Sequence, residues 1–249
     1  MKVYGLIGKQ LDHSFSKDYF DRKFQRENIV DAKFELFPIE ELSLFETLIH
    51  SQPQICGLAV TIPYKEQIIQ KLDELDSTAT AVGAVNCIVF DEGYTKGYNT
   101  DIVGFEKSLR ESCKTHIENA LVLGTGGASK AIQFVLTKAG ISFTIVSRKP
   151  TNQSSISYAE LNETILQYHQ LIVNCTPLGM GSLIQEKPDI PYEFINKSHF
   201  LFDLNYNPAE TLFLKEGIMR GATVRNGLRM LEIQAEQNWL LWNGIKKLG

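Results

Sequence analysis

Residues 121–131 read LVLGTGGASKA. An uncharged apolar run ends on Gly124, Gly126 and Gly127, and the helix-like stretch ASKAIQFVLTKAG follows as far as Gly140. An apolar run bounded by turn residues reads as a buried strand, and glycines at its end permit a tight turn. Such a turn lets the backbone approach a pyrophosphate, which then meets the free N–H groups at the helix amino terminus. Gly124, Thr125, Gly126, Gly127 and Ala128 are therefore the expected phosphate turn. The strict GxGxxG pattern is not met, because Ser129 holds the third glycine position. A second strand, ISFTIVS, comes next at the length of a βαβ unit of the dinucleotide-binding kind.

That second strand ends in Ser147, Arg148 and Lys149. NAD-binding and methyl-donor-binding folds place Asp or Glu there to accept hydrogen bonds from ribose hydroxyls, and none is present. Two cations suit a 2′-phosphate instead, to which arginine offers charge-assisted, bidentate contacts. The expected cofactor is NADP rather than NAD, and a methyltransferase is disfavoured.

Outward from this unit the alternation continues. A polar helix is expected over SYAELNETILQYH, strands over LIVNCT and HFLFDLNY, and a short helix over TLFLKEGIMRG. In GLRMLEIQAEQNWLLWNGIKKL, Leu228, Leu231, Ala235, Trp239 and Trp242 recur at three- and four-residue steps, which predicts a packed amphipathic helix. Towards the amino terminus, KVYGLIG, SKDYFDRKFQREN, KFELFPI and EELSLFETLIH alternate strand-like and helix-like segments, the pattern of a parallel α/β sheet. VGAVNCIVF and DEGYTKGYNTD read as an added hairpin, and Ile102–Ser112 as a helix.

Residues 57–66, GLAVTIPYKE, form a strand-to-helix junction in this reading. Pro63 suits the first position of a helix, which puts Lys65 in the first helical turn at the carboxyl end of a strand. A helix amino terminus favours acidic side chains, so a lysine there calls for a functional reason. The carboxyl ends of strands are also where open α/β sheets bind ligands.

The 249 residues, 43% hydrophobic and 22% charged, suit one large globular domain or two modest ones. A net charge of −4 argues against a nucleic-acid partner. No apolar stretch is long enough to span a bilayer, and no leader-like segment opens the chain, so a cytoplasmic protein is expected. Cys56, Cys87, Cys113 and Cys175 form no CxxC pair and the five histidines no paired spacing, so no metal site is expected.

Taken together, GLIGKQLDHSFS, GLAVTIPYKE, AVGAVNC, GYNTD, LGTGGASKA, NCTPLGM, DLNYNPAETLFL and GLRMLEIQA resemble, in order and spacing, the shikimate dehydrogenase family along essentially the whole chain. The resemblance implies an α/β protein with an N-terminal mixed α/β substrate domain, residues 1–101 and 228–249, and a Rossmann-like NADP domain, residues 102–227, with a cleft between them. It implies Lys65 and Asp101 as the catalytic pair, with Lys65 giving the proton to the developing alkoxide and Asp101 orienting it. Ser14 and Ser16 would hold the substrate carboxylate. Thr61, Asn86 and Gln234 would meet the ring hydroxyls and Tyr206 would lie near the substrate, while Thr176, Met180 and Gly227 would line the nicotinamide side. The implied partners are shikimate or 3-dehydroshikimate as small-molecule substrate, and the implied state is monomer or homodimer. The alternatives are a quinate/shikimate dehydrogenase using NAD or NADP, and a non-catalytic ligand-binding relative; the presence of both Lys65 and Asp101 weighs against the second. The chain departs from the family's common residues at Lys17, at Tyr98 and around Arg148. The stretch between Lys149 and Leu171 is short, so a trimmed helix is expected there.

Overall fold

The computed structural model describes residues 1–11, 14–113, 116–150 and 155–245. By its internal contacts the chain divides into two compact units, Met1–Val103 with Leu231–Gly249, and Gly104–Met230.

The first unit opens with β1 (Lys2–Gly8), α1 (Phe15–Arg26), β2 (Ala32–Pro38), α2 (Leu44–Ser51) and β3 (Ile55–Val60). It continues through a 3-10 helix (Gln67–Lys71), β4 (Glu74–Leu75), α3 (Ser77–Val82), β5 (Cys87–Asp91) and β6 (Tyr94–Tyr98). Its six strands run β2-β1-β3-β5-β6-β4, with β1 parallel to β2 and β3, and β5 antiparallel to β3 and β6. Successive strand residues point to opposite faces, and the sequence fills both. Val3, Ile7, Leu58, Val60 and Ile88 pack in a core with Phe45 of α2 and Ile68. Tyr4, Leu6, Ala59 and Cys87 pack on the other side with Phe20 and Phe24 of α1 and with Ala235, Leu241 and Trp242.

The last three belong to the final helix, so the first unit is built from two separate stretches of chain. Phe20 and Phe34 stack with centroids 4.7 Å apart, and Tyr4 stacks on Trp242 at 5.1 Å. The Trp242 indole N–H donates to the Ile88 carbonyl at 3.0 Å. Lys23 of α1, buried beside Trp239, donates to Glu236 at 2.9 Å, which also accepts from the Tyr19 hydroxyl.

The second unit takes most of α4 (Asp101–Ser112), then β7 (Asn119–Leu123), α5 (Gly127–Lys138), β8 (Ser142–Val146) and β9 (Ser155–Ile156). After a 3-10 turn (Tyr158–Glu160) come α6 (Glu163–Tyr168) and β10 (Leu171–Asn174). Two further 3-10 turns (Gly181–Leu183 and Tyr192–Phe194), β11 (Phe200–Asp203), α7 (Leu212–Met219) and β12 (Thr223–Arg225) follow, and α8 (Leu228–Trp242) belongs to the first unit from Leu231 on. All six strands are parallel, in the order β12-β11-β10-β7-β8-β9. Numbered within the unit, that is 6-5-4-1-2-3, the doubly wound order whose switch point lies between β7 and β10.

Three local expectations are corrected. Lys65 is not in the first turn of a helix: residues 62–66 form turns and the 3-10 helix starts at Gln67. The Lys65 carbonyl, which a helix would pair with its own chain, instead accepts the Val85 N–H at 2.7 Å. The polar helix expected over 157–169 is broken into one 3-10 turn and the six-residue α6, because Leu161 is extended and Asn162 caps a fresh start by accepting the Ile165 N–H. In α8, Leu228 is exposed, whereas Gln234, Gln237 and Asn238 are buried, so the inward face is more polar than the apolar spacing implied. The unexpected α3 is delimited by an Asp76 cap and by Gly83 in the left-handed region.

Gly57 in β3 lies against the Trp242 ring, and a Cβ there would collide with the ring's edge. The indole is pinned by its bond to Ile88 and cannot step aside freely. Gly57→Ala is expected to destabilise the protein by about 1–3 kcal/mol, as overpacking of a filled core does. Urea unfolding followed by tryptophan fluorescence measures it.

Candidate active site

In the first unit three chain segments converge on one carboxylate. Lys65 comes from the turn after β3, Asn86 from the entry to β5, and Asp101 from the first position of α4. The Lys65 ammonium donates to Asp101 Oδ2 at 2.6 Å, and Asn86 Nδ2 donates to Oδ1 at 2.8 Å. The Lys65 side chain is 16% exposed and that of Asp101 6%, so the pair is close to dry while the lysine stays reachable. A carboxylate at a helix amino terminus also faces the unpaired N–H groups of the first turn, a favourable placement.

Asn86 is engaged at both ends of its amide. Its Oδ1 accepts the backbone N–H of Thr100 at 2.7 Å, and its carbonyl accepts the Val60 N–H at 2.9 Å. Its Nδ2 also reaches Gln234 Oε1 of α8, at 3.3 Å. Lys65, Asn86, Asp101 and Gln234 are thus brought together. Thr61 follows β3 directly and lies with its methyl group against Gly8. Ser14 caps α1 by accepting the Lys17 N–H at 3.4 Å, and Ser16 lies in the first turn of that helix. Neither serine hydrogen-bonds to the four-residue cluster.

In the second unit the glycine turn sits at the switch point. Gly124 follows β7 with φ at +107°, a conformation side chains rarely adopt, and a Cβ there would press on Thr176 in the loop after β10. Gly126 caps α5 with open space where a side chain would stand, and Thr125 and Ala128 flank the two glycines that begin the helix. Ser129, in place of the third glycine, is buried and donates to the Gly124 carbonyl at 2.7 Å, which closes the turn. Ser147 Oγ accepts the Lys149 N–H at 3.1 Å, and Arg148 and Lys149 are exposed at the end of β8. Neither cation is paired with a carboxylate among the described residues. Met180 is partly exposed, and Gly227 presses so closely on the Leu204 carbonyl that a Cβ would overlap it. Tyr206, half-buried, follows β11 in this unit.

Sequence reasoning missed a second buried carboxylate. Asp203, at the end of β11, accepts from Thr211 at 2.6 Å, from the Asn205 N–H at 3.0 Å and from Asn174 at 3.0 Å. Asn174 and Asn205 in turn hold the Thr176–Leu178 loop, where Asn205 donates to the Leu178 carbonyl at 2.9 Å. The signal in the sequence was a polar residue ending each apolar strand, as in LIVN and FLFD. The thiol of Cys175, in the same loop, has its pKa pushed well up by burial.

A doubly wound sheet with a glycine turn at its switch point is an arrangement suited to binding a dinucleotide. Residues 6–88 match the model of the shikimate dehydrogenase substrate binding domain. The chain is 37% identical over 261 aligned positions to a shikimate dehydrogenase (NADP(+)) of Methanococcus maripaludis, with 98% of this chain and 92% of that relative covered. It superposes on the crystal structure of shikimate dehydrogenase 1 from Peptoclostridium difficile with a TM-score of 0.87 at 33% identity, covering 99% of this chain and 93% of the other. A shikimate 5-dehydrogenase from Thermus thermophilus in complex with NADP(H) and shikimate gives a TM-score of 0.85 at 28% identity, covering 98% and 94%. The chain belongs to the shikimate dehydrogenase family.

Burial raises the Asp203 pKa from 3.8 to about 6, and its three hydrogen bonds offset only part of the effect. A carboxyl whose folded-state pKa is raised contributes stability that is fully present below the unfolded pKa and is lost as pH rises through the folded one. Asp203→Asn removes the titration. The stability of the variant relative to the parent is therefore expected to rise by about 2–3 kcal/mol between pH 4 and pH 7. Urea unfolding at four pH values across that range tests this, and a constant difference would show that the carboxyl does not titrate there.

Proposed function

We propose that this protein is an NADP-dependent shikimate dehydrogenase, which reversibly reduces 3-dehydroshikimate to shikimate in aromatic amino-acid biosynthesis. The observation that carries the reading is the 2.6 Å contact between Lys65 and Asp101, buried beside Asn86 and Gln234 and assembled from three separate segments and α8. Membership of the family supports it independently.

The first unit takes the substrate in this reading. Shikimate carries a carboxylate at one end and hydroxyls at the other. Ser14 accepts the Lys17 N–H, so its O–H is left to donate to that carboxylate, and Ser16 stands two residues further along with its own hydroxyl. Thr61, Asn86 and Gln234 serve the ring hydroxyls. A site of this kind rejects analogues that lack the hydroxyls, because its own buried groups would go unpaired.

The second unit fits NADP on its own geometry. Gly126 leaves open space at the amino terminus of α5 for the pyrophosphate, and Arg148 with Lys149 supplies exposed positive charge where a 2′-phosphate would lie. Ser147 shapes that loop, and Thr176, Met180 and Gly227 are assigned to the nicotinamide side. Bound NADPH supplies the hydride. Lys65 supplies the proton: its ammonium stabilises the alkoxide that develops at the reduced carbon and then protonates it, and in the reverse direction the amine takes the proton back. Asp101 holds the lysine by its Oδ2 while Asn86 fixes Oδ1, so the ammonium has a defined direction. Asn86 cannot rotate away, since its carbonyl oxygen is engaged by the Thr100 backbone. The reading includes a cytoplasmic location and a monomer or homodimer; no helix of the described residues is long and apolar enough to cross a membrane.

Absorbance-monitored reduction of NADP by purified protein with shikimate is the direct test, with quinate and NAD as the competing pair. Lys65→Ala is expected to lower kcat by about a hundredfold or more, with a smaller change in the KM for shikimate. Near-normal turnover would remove Lys65 from the chemistry. Arg148→Ala is expected to raise the KM for NADP by about tenfold while that for NAD changes little, the loss of one charge-assisted contact. An unchanged ratio of the two would refute the assignment of Arg148 to the 2′-phosphate.

A further inference from the structure

Gln234 is held by two amides that the apolar pattern of α8 did not reveal. Its Oε1 accepts from Asn86 Nδ2 at 3.3 Å and from Asn238 Nδ2 at 3.4 Å, one helical turn further along. Asn238 Oδ1 in turn accepts the Thr100 hydroxyl at 2.6 Å, and the Thr100 backbone N–H donates to Asn86 Oδ1 at 2.7 Å. Thr100, Asn238, Gln234 and Asn86 therefore form a closed ring. Thr100 and Asn238 are 0% and 1% exposed, and Asn86 and Gln234 are 2% and 6% exposed.

The orientation of every amide in this ring follows from groups whose polarity is fixed. A backbone N–H can only donate, so the Asn86 atom facing the Thr100 N–H must be the carbonyl oxygen. A carboxylate can only accept, so the Asn86 atom facing Asp101 must be the nitrogen, which agrees. The same nitrogen faces Gln234, whose inward atom must then be its carbonyl oxygen. Asn238 reinforces that choice with a second donor. Gln234 makes no hydrogen bond through its own nitrogen among the described residues, so its N–H2 is the end left for a ligand.

We propose that Asn238 is a positioning residue that keeps the Gln234 carbonyl turned inward, so that Gln234 meets the substrate as a hydrogen-bond donor. The inference rests on the reading of this site as the shikimate site. In chemical terms, the hydroxyl facing Gln234 is addressed through its oxygen lone pairs, and its own hydrogen is free to bond elsewhere in the site.

Asn238→Asp is the informative variant. An aspartate of the same shape still accepts the Thr100 hydroxyl, but offers Gln234 only acceptor oxygens. The Gln234 amide is then caught between Asn86, which still donates to its carbonyl, and an aspartate that repels that carbonyl and calls for its N–H2, so it no longer holds one orientation. The KM for shikimate is expected to rise about tenfold, with kcat and the KM for NADP within about threefold of the parent. Asn238→Ala, which removes the donor without adding charge, should raise the shikimate KM by a smaller factor of about three. Both effects should vanish in a Gln234→Ala background, because there is then no amide to orient. A purely structural role for Asn238 would instead lower the melting temperature and leave the shikimate KM unchanged, or would act equally in both backgrounds, and either result overturns the proposal. Should Asn238→Asp fail to fold, Asn238→Ala carries the same comparison. A folded parent protein without any shikimate-dependent reduction of NADP would overturn the reading of the site itself, an outcome distinct from an active parent in which the two positions do not couple.

Discussion

The Asp101 carboxylate lies among groups that leave it almost no water, and the fold can keep it there because both oxygens are engaged, one by an ammonium and one by an amide. An unpaired buried charge is among the most expensive features a protein can carry. Satisfying this one recruits the end of β3 through Lys65, the entry to β5 through Asn86, and the start of α4 through Asp101 itself. Asn86 then spends its remaining groups on Thr100, Val60 and Gln234. The groups that hold the strand ends in register are thus the groups assigned to the substrate in the proposed reading, so a change at one of them acts on both.

The second unit solves a related problem with different means. Asp203 is as deeply placed, yet its partners are a hydroxyl, a backbone N–H and a side-chain amide, all neutral. Dipoles compensate buried charge less fully than an ion does, and the pKa of about 6 records the shortfall. The return is positional. Asn174, Asp203 and Asn205 tie the ends of β10 and β11 to the Thr176–Leu178 loop, which in turn lies against Gly124 at the switch point. One carboxylate is held for its charge, the other for its geometry as an acceptor.

Most strands and the long helices were legible because their apolar spacing is local information: LVL, LIV and FLF announce buried parallel strands, and the two halves of the chain show the same alternation. The glycine turn was legible for the same reason. What escaped depends on partners distant in sequence. Pro63 after a strand is a sound local signal for a helix start, but the Lys65 carbonyl is claimed by Val85, and no local pattern encodes that. In α8 the spacing of Leu228, Leu231 and the tryptophans was read as the packed stripe, whereas Gln237 and Asn238, polar residues outside that stripe, are buried. Of the candidate site, the residue types lying at strand ends could be picked out, while the ring that orients Gln234 required three-dimensional neighbours. Asp203 was hidden in a motif that looked complete as a strand end.

The discontinuous make-up of the first unit has a consequence for synthesis. Tyr4, Phe20 and Phe34 are covered by Trp239 and Trp242, which the ribosome delivers only after the entire second unit has been made. During that interval the nascent chain exposes an aromatic bed that its own amino-terminal residues cannot cover, and chaperones bind such surfaces. Premature termination between β12 and α8 would leave a second unit able to collapse around its own parallel sheet and a first unit with an open hydrophobic face. Such fragments would be marked for degradation by the same surface that the finished protein seals last.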